Sequence, residues 1–444
     1  MNKKINAVFL TFSTLILAGC GGGDSGPDTS VSTPKPINPG SSQVVIKVID
    51  GYLANAQVCV DRNSDNVCQN DELLTTKTNA LGEIVIQQSD AQYPLIAQIL
   101  QGITIDSHSG FARKSYEMIT AAGSTEITPF TTLSVLNQMS NEDIASALNI
   151  PVADVFSDYI AADSTDVQII ARSVALTLNI LGSMNAQDIL DSSISISDYV
   201  STNAITDPTA IVVKTLAGLE TQSVKPTMKE TLLSNSVWTF ANLNHDTYIR
   251  ENFRIANFSD TSMTLSDNWD KLLYESEITY NFDGILNAEG TEYLEKFLYV
   301  DDNLLIGQAS ADQTDLNVWM GGDHGDYQSS SFDEEQFKNG STWYLVFYDD
   351  ADINIAKMTF SNTGTVEINE LSTNSLMTTT FTLEKSNFED KNIYLNVVLP
   401  DESNPLRYEA WFSSGSILVV RDENRRTLSL LTQSLETARS IAQP

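Results

Sequence analysis

The sequence predicts a multidomain protein with an all-β amino-terminal module, an α-helical middle segment and an antiparallel β-rich carboxy-terminal domain, either a barrel or a sandwich. Three observations carry this. Alternating β-branched runs broken by turn residues fill Gln43 to Ile127 ("QVVIKVID", "AQVCVD", "GEIVIQ", "GITID"), the period-two pattern of strands. Apolar positions three and four apart dominate Thr128 to Leu233, the helical period. All five tryptophans lie beyond Leu232, in segments that alternate again, so residues 234–444 are expected to build a core of their own.

The chain opens with Lys3 and Lys4, an apolar run "INAVFLTFSTLILA", and small residues up to Cys20. That is the layout of a secretory signal over residues 1–19, too short and wrongly flanked to span a membrane. "LAGC", Leu17 to Cys20, resembles the lipobox of bacterial lipoproteins. The resemblance implies that Cys20 is acylated and becomes the first mature residue, and Gly21 rather than Asp after it implies the outer membrane. "GDSG", Gly23 to Gly26, has the letters of a serine-protease nucleophile, but nothing ordered precedes Ser25 to hold a triad. Residues 20–42 are rich in Pro, Ser and Thr and read as a tether that reaches no more than roughly 70 Å. A net charge of -33 disfavours nucleic acid and anionic lipid. The lipid is then the expected link to the membrane.

"CVDRNSDNVCQNDE", Cys59 to Glu72, carries the chemistry. Counted from Asp61, it sets Asp61, Asn63, Asp65, Val67, Gln69 and Glu72 at positions one, three, five, seven, nine and twelve. This is the spacing by which a loop wraps Ca²⁺ with side-chain oxygens, one backbone carbonyl and a final bidentate carboxylate. Asn66 replaces the usual glycine, and asparagine tolerates the left-handed conformation. The flanks read as strands, so a β-domain rather than an EF-hand pair would present the loop; a solvated Asn/Asp turn is the plainer alternative. Cys59 and Cys68 are the only thiols besides Cys20. An exported compartment favours a disulfide between them, worth about 2.5 to 3 kcal/mol in the chain-entropy model.

The strings "VIDGYLANAQVCVDRNSDNVCQNDELLTTKTNALGEIVI", "YPLIAQI", "TIDSHSG" and "ITPFTTL" resemble the amino-terminal module of gammaproteobacterial surface and outer-membrane lipoproteins, including accessory-colonization-factor-type lipoproteins. The resemblance covers roughly Val45 to Leu133 and implies an Ig-like, regulatory-like β-fold without catalysis. Larger members of that group carry a zinc protease domain with an HExxH motif. Here His108, His245 and His324 stand in "SHSG", "NHDT" and "DHGD".

In the middle segment, 128–233, Thr128 before Pro129 marks a helix start, and Ser140 with Asp143 resembles a capping box. Val167, Ile170, Val174, Leu178 and Leu181 form one expected helix face, with Gly182 as its stop. The segment reads as a helical bundle or spacer. Beyond it, "SNTG" signals a hairpin, "QSLETARSIA" a helical tail, and the run of hairpins from "LLSNSVWTF" onward resembles a lipocalin-like barrel.

"GGDHGD" reads as a surface turn, and Asp350, Asp352 and Asn354 as an Asp-rich tip or a weaker calcium site. Neighbouring acids such as Asp301 with Asp302, or Glu334 with Glu335, face opposite ways in a strand and do not make a glycosidase pair. No catalytic residue is singled out. The expected function is a non-enzymatic, lipid-anchored envelope protein displaying a calcium-stabilised β-module for binding a glycan or protein at the cell surface. The alternatives are a lipocalin-like carrier, its aromatic barrel built around Trp238, Trp343 and Trp411, and a hydrolase.

Overall fold

Strands covered on both faces set the architecture of this protein. A computed structural model describes residues 43–442 apart from 156, 208, 225–226, 245–252, 268–270, 310–315, 324–333, 338–339, 350–351, 386–392, 400–405 and 424–425. Its first strands are β1 (Gln43–Val48), β2 (Leu53–Ala54), β3 (Gln57–Val60), β4 (Leu73–Lys77), β5 (Glu83–Gln87), β6 (Leu95–Ile99), β7 (Ile105–Asp106), β8 (Gly110–Phe111), β9 (Tyr116–Thr120) and β10 (Glu126–Ile127). They form sheets ordered β10-β1-β5, β4-β3-β6-β9 and β2-β7-β8. The first two sheets face each other across one core, where Ile46, Val48, Ile84 and Ile86 meet Val58, Val60, Leu95 and Ala97. On the opposite face of the four-stranded sheet, Cys59, Ile96 and Ile119 pack against Leu181. Hence β3 and β9 are buried along their whole length, while β5 alternates and leaves Val85 exposed. Alternating runs joined by turns suggest antiparallel pairing throughout the module, but at one pair the structure differs: β1 runs parallel to β10, through Lys47↔Glu126 and Val48↔Ile127. Alternation assigns faces and leaves direction open.

The middle holds α1 (Pro129–Asn137), α2 (Asn141–Leu148), α3 (Val152–Val155), α4 (Thr165–Ala175), α5 (Ala186–Asn203), a hairpin of β11 (Ala210–Thr215) and β12 (Gly218–Ser223), and α6 (Thr227–Ser234). Thr128 caps α1 by accepting from the Thr131 N–H, and Ser140 caps α2 by accepting from the Asp143 N–H. The expected face of α4 is buried from Val167 to Val174, but the helix ends at Ala175, well short of Gly182. The Thr177 hydroxyl donates back to the Val174 carbonyl of the last turn, and beyond the helix end the Lys114 ammonium donates to the carbonyls of Leu176 and Leu178. Leu178 and Leu181 are then free to enter two different cores on the module. The hairpin is a second departure from an all-helical segment: Val212 joins the helical core and its N–H donates to the Ser173 hydroxyl.

Two closed eight-stranded barrels follow, each an up-and-down meander. The first runs through β13 (Trp238–Asn242), β14 (Phe253–Phe258), β15 (Ser262–Asp267), β16 (Leu272–Tyr280), β17 (Gly284–Asn287), β18 (Tyr293–Val300), β19 (Leu304–Gln308) and β20 (Asn317–Gly321), and closes by pairing β13 with β20. The second runs through β21 (Thr342–Asp349), β22 (Asp352–Phe360), β23 (Thr365–Glu370), β24 (Ser375–Lys385), β25 (Ile393–Val397), β26 (Leu406–Ser414), β27 (Ile417–Asp422) and β28 (Leu428–Thr432), and closes through β21 and β28. The helix α7 (Leu435–Ala442) ends the described chain. "SNTG" is the β22–β23 turn, where Gly364 has φ 77°. The single barrel or sandwich expected for 234–444 is thus two barrels. Closure leaves no sheet edge to protect.

Apolar side chains cluster inside both barrels. Trp238, Ile285, Phe297, Leu305 and Trp319 cluster in the first, and Trp343, Met358, Phe360, Leu395 and Val420 in the second. Alternate residues on the outer walls build a third core between the barrels. There Leu243, Ile306 and Val318 meet Val346, Val419 and Leu430, with Ile441 of α7 and Ile103 of the module. Trp411 stands in this seam, edge-on to Phe253 with ring centroids 4.7 Å apart. Trp238, Trp343 and Trp411 therefore occupy three separate cores and do not line one barrel. Strands facing the seam are buried on both sides, as in β28. Residues Ser42–Pro444 form one compact unit.

Candidate functional site

The segment between β3 and β4 closes on its own backbone. Asp61 is fully buried; its Oδ1 accepts from the Asp65 N–H at 3.2 Å and its Oδ2 from the Asn66 N–H at 3.0 Å. Asp65 Oδ1 accepts from the Val67 N–H at 2.9 Å, and its Oδ2 from the side-chain amides of Asn63 and Gln69 at 3.0 and 2.8 Å. Glu72, also buried, returns to the start of the loop: its Oε1 accepts from the Arg62 N–H at 2.9 Å and its Oε2 from the Gln69 N–H at 3.4 Å. Asn66 has φ 59°, the left-handed turn expected at that position.

A disulfide joins Cys59 to Cys68, with Cα atoms 5.7 Å apart, inside the usual range for the bond. Cys68 packs with Leu181 and Met184, and the Val67 side chain lies against the Gly182 turn, where an added Cβ would sit 3.9 Å from Val67 Cγ2. The loop is thereby stapled both to its own strand and to the chain after α4. All six ligand positions read from the sequence lie in this one turn. The side-chain oxygens of Asp61, Asn63, Asp65 and Glu72, the chemistry hard cations take, are engaged by N–H donors of the loop. Among the described residues no three His, Cys, Asp or Glu side chains are grouped as metal ligands.

A second acidic place was not legible in the sequence. A cavity of about 550 Å³ opens where the module meets α4, the β11–β12 hairpin and α6. Asp50, Asp106, Tyr116 and Arg172 stand in its wall with the apolar Leu53 and Phe111. Asp50 is only 5% exposed, and its Oδ2 accepts from the Tyr116 hydroxyl at 2.8 Å. Burial, reinforced by the nearby charge of Asp106, pushes the Asp50 carboxyl up to about 8 against the opposing pull of Tyr116 and Arg172. Asp106 Oδ1 accepts from the His108 N–H at 2.7 Å. Gly51 lets the two strands approach: a Cβ there would lie 2.3 Å from Asp106 Oδ1. The available signal was an acid directly after a buried strand run, in "VIKVID" and again in "GITID".

Another buried carboxyl, Glu295, lies in the first barrel. It accepts from the Asn317 amide at 3.1 Å and the Trp319 indole N–H at 3.3 Å, and burial raises it to about 8. Asp301 and Asp302 adjoin the Tyr299 phenol and the Arg113 guanidinium. His108 lies beside Ser107 and Asp106. Cys20, His245, His324 and Asp350 fall outside the described residues. Comparison with family models, with curated proteins and with solved structures returns no match for this chain.

Proposed function

We propose that this chain is a lipid-anchored envelope protein whose Ig-like module is stiffened by Ca²⁺ at Asp61, Asn63, Asp65, Val67, Gln69 and Glu72 and displays the rest of the molecule for binding a surface glycan or protein. The supporting observation is the form of the loop. The buried first carboxylate bonds the N–H groups at positions five and six, Asn66 takes the left-handed turn, and the twelfth residue folds back on the first turn. The fit to calcium rests on this donor set of carboxylate and amide oxygens on a stapled turn; binding requires Asp65 and Glu72 to exchange N–H partners for the ion. Cys20 in the lipobox and the Pro- and Ser-rich stretch after it supply the anchor and tether.

The test is palmitate labelling of cells producing the parent or Cys20→Ser, followed by retention of the solubilised parent on envelope glycans and proteins with Ca²⁺ or a chelator. Labelling lost in Cys20→Ser, with retention that needs Ca²⁺ and fails in Asp61→Ala, is the expected result. Equal labelling, or retention indifferent to chelation, would contradict the proposal.

A further inference from the structure

The cavity beside Asp50 shares no residue with the calcium loop and calls for a different ligand. We infer that it binds a small organic ammonium ion, the charged head paired with Asp50 Oδ1 and the apolar body laid against Leu53, Phe111 and Leu176.

The polar wall narrows the class of ligand, because Arg113, Lys114 and Arg172 each already hold a protein acceptor. Arg113 pairs with Glu230 at 3.1 Å and faces Asp302 at 3.6 Å. The Lys114 ammonium donates to the Leu176 and Leu178 carbonyls, and Arg172 to the Ala210 carbonyl. The acids Glu230 and Asp106 have Arg113 and the His108 N–H. Asp50 differs: Tyr116 serves Oδ2, and Oδ1 is buried with no hydrogen-bond partner among the described residues. A buried oxygen left so is costly, and a donor supplied by a ligand repays that cost. A cationic donor does so best, since it forms a charge-assisted bond and lies near Asp106 as well. An anion would meet three carboxyl groups in the wall, those of Asp50, Asp106 and Glu230. The volume is that of a pocket for a small molecule, and its wall mixes apolar surface with a few convergent polar groups.

Binding also moves a proton. Asp106 holds Asp50 toward its neutral form, the Tyr116 hydroxyl and Arg172 oppose it, and the buried phenols of Tyr116 and Tyr159 are themselves held neutral by burial and by Asp50. With its carboxyl at about 8, Asp50 carries a proton at pH 7, and pairing with an ammonium expels it. Affinity for the ammonium then rises about tenfold per pH unit up to that value, and one proton leaves per ligand bound.

The experiment is calorimetric titration of the full chain in detergent with benzylamine, phenethylamine and hexylamine, in two pH 7 buffers of different ionisation enthalpy, beside benzyl alcohol and benzoate. The expected result is binding of at least one amine with release of close to one proton, at least tenfold weaker binding of the alcohol and benzoate, and at least tenfold loss in Asp50→Asn. The proton count needs no variant, so the test stands even if Asp50→Asn does not fold. Binding of none of the three amines, binding without proton release, or preference for benzoate would overturn the inference.

Discussion

The calcium loop and the Asp50 cavity are both acidic and both draw on the amino-terminal module, but they are built in opposite ways. The loop takes all its groups from one contiguous stretch and satisfies its carboxylates with its own N–H donors. The cavity gathers Asp50, Asp106, Tyr116 and Arg172 from positions up to 122 residues apart and leaves one carboxyl oxygen unserved. A site closed on its own backbone is preorganised by local chain geometry. A site assembled from distant elements depends on the whole fold to hold its charges, and so it can carry an unfavourable group.

If the two are independent, they can be broken separately. Cys59→Ala with Cys68→Ala removes the staple and is expected to cost about 2.5 to 3 kcal/mol in chemical denaturation, weaken any calcium response and leave amine binding within twofold. A double variant as stable as the parent contradicts the assigned role of the disulfide. Gly51→Ala drives a methyl group into the Asp106 carboxylate and the His108 ring; a loss of roughly 1 to 3 kcal/mol with loss of amine binding and unchanged calcium response is expected.

The third prediction concerns pH. Asp50 and Glu295 titrate near 8 when folded, far above the unfolded range, so the folded chain binds more protons than the unfolded chain between about pH 4 and 8. The stability each contributes is fully present below the unfolded pKa and is lost as pH rises through the folded value. Stability should therefore fall with a slope of up to about 1.4 kcal/mol per pH unit per group and level off above pH 8. Asp50→Asn and Glu295→Gln should each flatten the slope, and unchanged slopes in denaturant titrations from pH 5 to 9 would disprove the assignment. The smallest effect is at the loop tip: Asn66→Gly should be near neutral, and Asn66→Ala should cost about 1 kcal/mol at its left-handed turn. Equal stability of the two variants would count against the loop's geometry.

The same contrast explains what the sequence disclosed. Spacing located the turn of Asp61 to Glu72 and its left-handed Asn66, and the count of thiols in an expected exported chain pointed to the Cys59–Cys68 bond. Thr128, Ser140 and the "SNTG" hairpin were legible from local sequence as well. The number of barrels was not. Seam strands such as "LSLLT" in β28 are buried inside and out, so they lose the alternation that marks a barrel wall, and no local signal separates β20 from β21 as the end of one closed sheet. The β11–β12 hairpin did alternate, in "AIVVKT" before Gly218, but lay within a segment dominated by helical spacing. Just past the end of α4, the carbonyls of Leu176 and Leu178 take the ammonium of Lys114, more than fifty residues upstream, a partner that no local spacing announces. Asp50 and Asp106 meet only once β1, β2 and β7 are folded together.

The most direct measurement is a calorimetric Ca²⁺ titration of the full chain beside Asp61→Ala, Glu72→Ala and Asp50→Asn. Heat and a raised melting temperature in the parent and in Asp50→Asn, lost in the two loop variants, is the predicted result. No heat in the parent, or heat that survives in Asp61→Ala and Glu72→Ala, would contradict the account and leave the loop a disulfide-stapled turn.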